Sequence, residues 1–579
     1  MEYQVITPEG VEYLKSVTAP DRVFYGDEIE YDYAHDEMPD FGTHAPDVLV
    51  EVLSTEEVSK VMRYAYEHCI PVTPRGAGTG LSGGAVPIYG GILLCTEKMN
   101  KILEWDLDTM TVVIEPGVLV MELANAAQEK GVFYPPEPGE KTASVGGNVM
   151  TNAGGMKAVG YGVTRNYVVS MECVMPNGDI MQFGSNVAKN TSGYDIKDLV
   201  IGSEGTLCIA TKLRMRVIPQ PKVSYTLLVP YPSLEQCVGT VPKFINSDLN
   251  PTAIEYMPKS LLDDAAQYLN KIMPHRTADS YLILMFDGSS VEDVERRCDD
   301  AAQICLDNGA EDVFLCNTDE RKEAVWTVRG AALEALKAST TDMDECDIVV
   351  PRNRIADFSR FADTKMEETG IRISIQGHAG DGNMHIQLMR DDMDKKLFEE
   401  RCPKLMEELY AQAKTMGGQV SGEHGIGHAR VGALETFMGN GIHSHTAQCH
   451  LLFQRNAQFI ESLYQLRVHL IHALRALLLL RRVSIIGYGL IIYFGNAEMC
   501  PCRHLQRQPV AICLQAELQQ PFRFSLLLRD KPHNIFIQPT LNDVRMHVGR
   551  ETILILFLSE FLYIFIGFFL LHHFYNYKL

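Results

Sequence analysis

Residues 74–87 read PRGAGTGLSGGAVP, and the fold turns on what this loop is for. It follows a short strand pattern, Ile70–Thr73, as a phosphate-binding loop does. Glycines let the backbone approach a phosphate closely, and successive amides then point at the anion. The spacing is G-x-G-x-G and not the Rossmann fingerprint, and Pro87 with two more glycines prevents an immediate long helix. No Lys-Ser/Thr ends the loop, so it is not a Walker loop. On this stretch alone, an ordinary glycine loop stays open as the other reading.

The text around it supports a nucleotide-binding role. Asp47–Leu53 reads as a strand. Ser54-Thr-Glu-Glu57 fits a capping box, and Val58, Val61, Met62, Ala65 and Cys69 follow at helical spacing. With Ile70–Thr73 this makes a β-α-β unit, hence a parallel pair. Ile92–Thr96, Ile102–Leu107 and Thr111–Glu115 read as further strands, and Val120–Lys130 as a helix stopped at Gly131. Two more glycine-rich stretches follow. Pro135–Gly155, PPEPGEKTASVGGNVMTNAGG, is too polar and small to form a core and suits a backbone lining around a flat polar ligand. Gly202-Ser-Glu-Gly205-Thr-Leu is the third. Three such loops in one acidic region are far stronger evidence than one.

Beyond Pro219 the rhythm changes, with Pro219-Gln-Pro221 as a linker. Tyr225–Val229, Leu234–Ile245, Thr252–Met257, Tyr281–Phe286, Val291–Asn308 and Asp312–Cys316 alternate as strand, helix, strand, strand, helix, strand. That order predicts a small antiparallel sheet with helices on one face. Further on, residues 375–389 read IQGHAGDGNMHIQLM, with alternating flanks and Asp381-Gly382 as a hairpin turn. Ser421-Gly-Glu-His-Gly-Ile-Gly427 supplies a second histidine loop. Three of His378, His385, Glu423 and His424 give a His-His-carboxylate set, which suits a borderline divalent cation and leaves positions open for substrate. The fourth is then free to act as a base. Satisfied structural histidines are the competing reading.

The chain has 579 residues, enough for at least two domains. A net charge of −22 argues against nucleic acid, which needs a basic footprint. Fourteen scattered cysteines with no C-x-x-C pair suit reduced, buried thiols of a cytoplasmic protein. MEYQVITPEGVEYLK has no apolar run of the secretory kind. Charge is uneven: 441–579 carries 13 Lys and Arg against 7 Asp and Glu, while 1–440 carries 39 against 67.

PRGAGTGLSGG, GGNVMTNAGG and YDIKDLVIGSEGTLCIAT together resemble the flavin-binding domain of the vanillyl-alcohol oxidase type. More narrowly, residues from about 20 to 430 resemble the glycolate oxidase/D-lactate dehydrogenase family of FAD-linked 2-hydroxyacid dehydrogenases. The resemblance implies an α+β chain: a two-subdomain FAD-binding domain of the PCMH type over 1–219, then a ferredoxin-like α+β cap with the metal site over 220–432. It implies that Arg75, Gly76, Ala77, Gly78, Thr79, Gly80 and Leu81 cradle the FAD pyrophosphate. Pro138, Gly139, Ser144, Gly146, Gly147, Asn148, Thr151 and Asn152 would line the ribityl chain and isoalloxazine. Glu204, Gly205 and Ile209 would lie along the adenosine side. Tyr134–Thr142 holds no histidine or cysteine, so non-covalent FAD is expected. His378, His385 and Glu423 resemble the family's metal ligands, for Zn, Fe or Mn, and His424 its proton acceptor.

The implied reaction is oxidation of a small 2-hydroxy acid, D-lactate or glycolate. His424 would take the hydroxyl proton while the C2 hydride passes to flavin N5. Electrons would go on to a separate acceptor: an electron-transferring flavoprotein, a quinone or an iron–sulfur subunit. Arg329, on a helical pattern with Trp326, would bind the substrate carboxylate with its planar fork; an ordinary solvated arginine is the other reading. Relatives acting on 2-hydroxyglutarate carry a lysine near the position of Glu345 in DECDIVVP. An acid there favours a monocarboxylate. A metal-dependent hydrolase without redox chemistry would leave the glycine loops unexplained.

The family's Phe-Asp-Pro and Leu-Asn-Pro-Gly-Lys ending is missing. Residues 433–579 are instead an atypical, hydrophobic tail. Thr552–Leu571, TILILFLSEFLYIFIGFFLL, is long enough to span a bilayer, with Glu560 in its middle. One reading is a membrane anchor. The other, favoured by the composition shift and by that glutamate, is out-of-frame text, which would allow an inactive flavin-binding protein with a disrupted C-terminus.

Overall fold

The computed structural model describes residues 3–38, 42–271 and 277–438, together with short strands between 483 and 548. Met1–Ile460 is one compact unit and Glu461–Leu579 a second. In the second, Val483–Ile486 pairs with Gly489–Ile492, Val510–Ile512 with Met546–Val548, and Leu526–Leu528 with Ile535–Ile537, all antiparallel. Thr552–Leu571, the stretch read as an anchor or as out-of-frame text, lies outside the described residues. Among the described residues no helix is long and apolar enough to cross a membrane.

The first sheet of the larger unit holds β1 (Val23–Tyr25), β2 (Val48–Glu51), β3 (Val72–Arg75) and β4 (Ile92–Cys95) in the order β1-β2-β4-β3. β2 and β3 both run parallel to β4. The expected parallel pair therefore has β4 inserted between its members. The helix Thr55–Glu67 makes the crossover and buries Val58, Val61 and Ala65 against Val48, Val50, Ile92 and Leu94. Each fully buried valine of that face contributes roughly 1.5–3 kcal/mol. Cys69 falls beyond the helix end, at φ 53°. The capping box forms only by half: the Ser54 hydroxyl accepts from the Glu57 amide at 3.3 Å, but the Glu57 carboxylate takes the Leu53 amide and Arg22.

The second sheet is antiparallel. β5 (Ile102–Asp106), β6 (Thr111–Ile114), β8 (Val168–Val174), β9 (Ile180–Gly184) and β10 (Ile209–Arg216) take the order β5-β6-β10-β8-β9. Pro219, where the expected linker Pro219-Gln-Pro221 begins, ends a short strand, Ile218–Pro219 (β11), paired with Val132–Phe133 (β7).

The third sheet has seven strands, in the order β15-β12-β14-β13-β17-β18-β16. These are β12 (Val223–Tyr231), β13 (Ala253–Pro258), β14 (Ser280–Gly288), β15 (Phe314–Cys316), β16 (Met343–Val349), β17 (Arg372–His378) and β18 (Asn383–Met389). All pairs are antiparallel. The first four strands, with the helices Leu234–Gly239 and Val291–Asp307, make the ferredoxin-like unit. Helices were expected on one face, yet both faces are covered. Leu227, Val229, Ile254, Tyr256, Ile386 and Leu388 enter the main core. Leu228, Ile283 and Met343 meet a second set of helices, Lys259–Tyr268, Asp319–Gly330 and Ala332–Ser339. The site lies on that second face, where the helices stop.

Candidate active site

Strand alternation assembles the site. Met384, Ile386 and Leu388 point into the main core, so Asn383, His385 and Gln387 share the opposite face with Gln376 and His378 of β17. The register sets Asp347 opposite His385, Glu345 opposite Gln387, and Glu255 opposite His378. One face thus carries three buried carboxylates and two buried imidazoles. Buried charges persist only when paired or ligated, so this grouping calls for cations.

Asp347 fixes the second histidine loop. Its Oδ2 accepts from the Ser421 hydroxyl at 2.7 Å and from the amides of Gly422, Glu423 and His424 at 3.0, 2.8 and 2.7 Å. Its Oδ1 accepts from Asn383 Nδ2 at 2.6 Å. The carboxylate ties the loop to the sheet face and so delivers Glu423 and His424 to His378 and His385.

The four groups converge. Glu423 Oε1 lies 3.3 Å from His378 Nε2, 3.4 Å from His385 Nε2 and 3.6 Å from His424 Nε2. The His378 and His385 Nε2 atoms are 3.3 Å apart. One ligand atom from each of His378, His385 and Glu423 falls within a 4.8 Å cluster, and a second such trio is Glu345, His385 and His424. Glu255 Oε1 sits 2.7 Å from His378 Nδ1, which leaves Nε2 for a metal, as a carboxylate behind a ligating histidine does. Burial works against a charged ring at His424, but Asp347, Glu423 and Glu345 outweigh it and raise its pKa to about 10. Burial likewise opposes charge on Glu423, and His378 with its neighbours reverses this, holding Glu423 well below the ordinary value. The donor set fits a divalent cation. Among the described residues, buried His385 Nδ1 and Glu345 Oε2 have no hydrogen-bond partner.

A cavity of about 430 Å³ joins this cluster to the glycine loops. Arg75 to Leu81, Pro138, Gly139, Ser144, Gly146, Gly147, Asn148, Thr151, Glu204, Gly205 and Ile209 line it, together with Arg329, Glu345, His378, His385, Glu423 and His424. The fit to a flavin nucleotide rests on this bare backbone lining and on Asn148, whose buried Nδ2 has no partner among the described residues. At Gly154 an added Cβ would fall 2.7 Å from Glu423 Oε2, so a side chain there would press on Glu423.

Some expected residues sit differently. Asn152 is not part of the cavity wall. It ends the helix Val145–Thr151 in the left-handed conformation, and its Oδ1 accepts from the Arg165 amide. The Arg75 guanidinium turns to the carbonyls of His35 and Asp32, so Arg75 faces the cavity mainly as backbone. Arg329 is buried, not solvated. It donates through Nε and Nη2 to Glu255 at 2.9 and 2.8 Å, while Nη1 has no partner among the described residues. Glu255 and Asp347 were missed in the sequence. For Glu255 the available signal was a lone acid inside an otherwise apolar strand, AIEYMP; Asp347 lies in MDECDIV beside Asp344 and Glu345, so no single acid stood out there.

Comparison with known proteins gives the family. A family described as FAD binding domain matches residues 46–184, and one described as FAD linked oxidases, C-terminal domain, matches 220–445. D-lactate dehydrogenase of Anaerostipes hadrus is 46% identical over 443 residues, covering 76% of this chain and 93% of that protein. The glycolate oxidase subunit GlcD of Bacillus subtilis is 34% identical, covering 74% and 91%. Among solved structures, p-cresol methylhydroxylase matches at a TM-score of 0.62 and 18% identity over 75% of this chain and 92% of that one, a likeness of fold. The chain belongs to the family of FAD-linked 2-hydroxyacid dehydrogenases that includes D-lactate dehydrogenase and the glycolate oxidase subunit GlcD.

Proposed function

We propose that the protein oxidises a small 2-hydroxy acid, D-lactate or glycolate, to the 2-oxo acid. The observation that carries this is the single cavity, which runs from the glycine-lined cradle to the His378, His385, Glu423 and His424 cluster. Bound FAD supplies the hydride acceptor, and a bound divalent cation (Zn, Fe or Mn) supplies a Lewis acid for the substrate oxygens. In this reading residues 1–219 hold FAD without a covalent link and 220–432 hold cation and substrate. His378, His385 and Glu423 are the cation's ligands, and Glu255 fixes the tautomer of His378. Arg329 offers its spare Nη1 to the substrate carboxylate.

His424 takes the hydroxyl proton. Its surrounding carboxylates favour the protonated ring. It works as a base once positive charge at the neighbouring trio offsets them, so base strength and cation binding depend on each other. Glu345, beside His424 and His385 in the cavity wall, disfavours a second carboxylate on the substrate. Electrons leave to a separate acceptor, an electron-transferring flavoprotein, a quinone or an iron–sulfur subunit, which the acidic surface suits as a protein partner. The free, mostly buried cysteines among the described residues suit a cytoplasmic setting.

The test is anaerobic titration of the yellow holoprotein with D-lactate and glycolate. The flavin's visible absorbance should bleach, and His424→Ala or prior chelation should abolish bleaching. Bleaching that survives both treatments would remove the cluster from the reaction. No bleaching by any 2-hydroxy acid would remove the reaction itself.

A further inference from the structure

We infer that Glu204 is a positioning residue that couples the flavin cradle to the metal cluster, and is not chiefly a contact to the cofactor. The inference rests on the metal reading above. Glu204 Oε1 accepts from the Ile426 amide at 2.6 Å, and Oε2 accepts from the Gly427 amide at 2.8 Å. Both are charge-assisted, and both cross 222 or 223 residues of sequence to reach the loop that carries Glu423 and His424.

The backbone around Glu204 is held for this task. Glu204 has φ 53°, in the left-handed region that non-glycine residues seldom occupy. Its amide donates to the Met150 carbonyl at 2.7 Å, and the Gly202 amide donates to the Val149 carbonyl at 3.2 Å. Both carbonyls belong to Val145–Thr151, the helix that forms one wall of the cradle. A shift of that helix therefore travels through a short loop and one carboxylate to the metal-ligand loop.

The receiving side is built to match. At Gly425 an added Cβ would fall 2.2 Å from Glu204 Oε1, so the loop is bare where the carboxylate docks. The Ser82 hydroxyl of the first glycine loop donates to the His424 carbonyl at 3.0 Å, and the Ala429 amide donates to the Ser82 carbonyl at 3.2 Å. Asp347 grips the same loop from the sheet side. Glu423 and His424 thus stand between two carboxylate clamps, one from the cap sheet and one from the cradle.

The experiment compares chelator-stripped flavoprotein with Glu204→Gln and Gly425→Ala, measuring Zn affinity by calorimetry and bound FAD by absorbance. Gln keeps the volume of Glu but loses the charge and one acceptor. Gly425→Ala disturbs the same contact from the loop side, but Gly425 has φ 88°, so an alanine there also strains the loop itself, and the double variant separates the two effects. Both variants should retain FAD and lose Zn affinity by about ten-fold or more, the scale of lost outer-shell support. Unchanged Zn affinity in Glu204→Gln, with FAD lost or kept, would overturn the inference. If Glu204→Gln loses both ligands, the double variant with Gly425→Ala decides: a Zn loss smaller than the sum of the two single losses supports coupling through this contact, and a fully additive loss overturns it. If the unsubstituted protein takes up no Zn, the metal reading fails first and the coupling with it.

Discussion

One carboxylate binds both Arg329 and His378: Glu255 lies 2.7 Å from His378 Nδ1 through Oε1 and 2.8 Å from Arg329 Nη2 through Oε2. Glu255 is fully buried and Arg329 nearly so. The groups assigned to the cation and to the substrate carboxylate therefore share one support. Removing one partner of such a buried pair costs about 3–5 kcal/mol, because the other charge is left without compensation.

Glu255→Gln tests this sharing. The amide keeps the shape but offers one neutral acceptor to two donors. Cation affinity should fall by roughly 10- to 100-fold, as when support behind a ligating histidine is lost. KM for the hydroxy acid should rise in the same variant, because Arg329 loses its anchor. FAD content should hold, since Glu255 is not part of the cradle wall. Calorimetry and steady-state kinetics read the two effects. A variant with normal cation affinity and normal KM would show that Glu255 only balances charge.

Glu345 bears on substrate choice. Two like charges about 8 Å apart, at an effective dielectric near 20, repel by about 2 kcal/mol. Glu345→Gln should therefore raise kcat/KM for a dicarboxylic 2-hydroxy acid relative to D-lactate by about ten-fold or more. The ratio of the two specificity constants is the measurement. An unchanged ratio would free Glu345 of any part in selectivity and leave it as the neighbour of His424, 3.4 Å from its Nδ1.

Much of this was legible from local chemistry. IQGHAGDGNMHIQLM declared its hairpin because alternation and an Asp-Gly turn are both local signals, and β17 and β18 follow them. The glycine loops announced themselves by composition. What escaped were the long-range partners. Nothing near Glu255 says that β13 will lie beside His378, because strand order is set by the whole sheet. Asp347 was hidden for the same reason: its four partners on the Ser421–His424 loop are 74 to 77 residues away.

What differs has the same physical origin. The guanidinium of Arg329 suits a carboxylate, and within the protein it binds one, Glu255. The guanidinium of Arg75 donates to the carbonyls of His35 and Asp32, while the residue lines the cavity as expected. The parallel pair lost adjacency because β4 came between β2 and β3. In each case the type of interaction was readable and the partner was not.

The half-formed capping box gives a prediction about stability and pH. Arg22 Nη1 and Nη2 donate to Glu57 Oε2 and Oε1 at 2.7 and 2.8 Å, and the Leu53 amide donates to Oε2 at 2.8 Å. Both side chains are largely buried. This fork ties the segment before β1 to the start of the helix Thr55–Glu67. Burial alone would raise the Glu57 pKa, but the hydrogen bonds from Arg22 and Leu53 outweigh it and hold the group below its ordinary value of 4.5. A carboxylate lowered in the folded state contributes its full stabilisation above the unfolded value and loses it as pH falls through the folded one. Arg22→Met should therefore destabilise the protein by about 1–3 kcal/mol at neutral pH. The gap between variant and parent should narrow below pH 4.5, as Glu57 is protonated in both. Urea midpoints across that range measure it. A gap that stays constant into acid would mean that Arg22 acts by packing and by its bond to the Glu51 carbonyl, and that its charge on Glu57 contributes little.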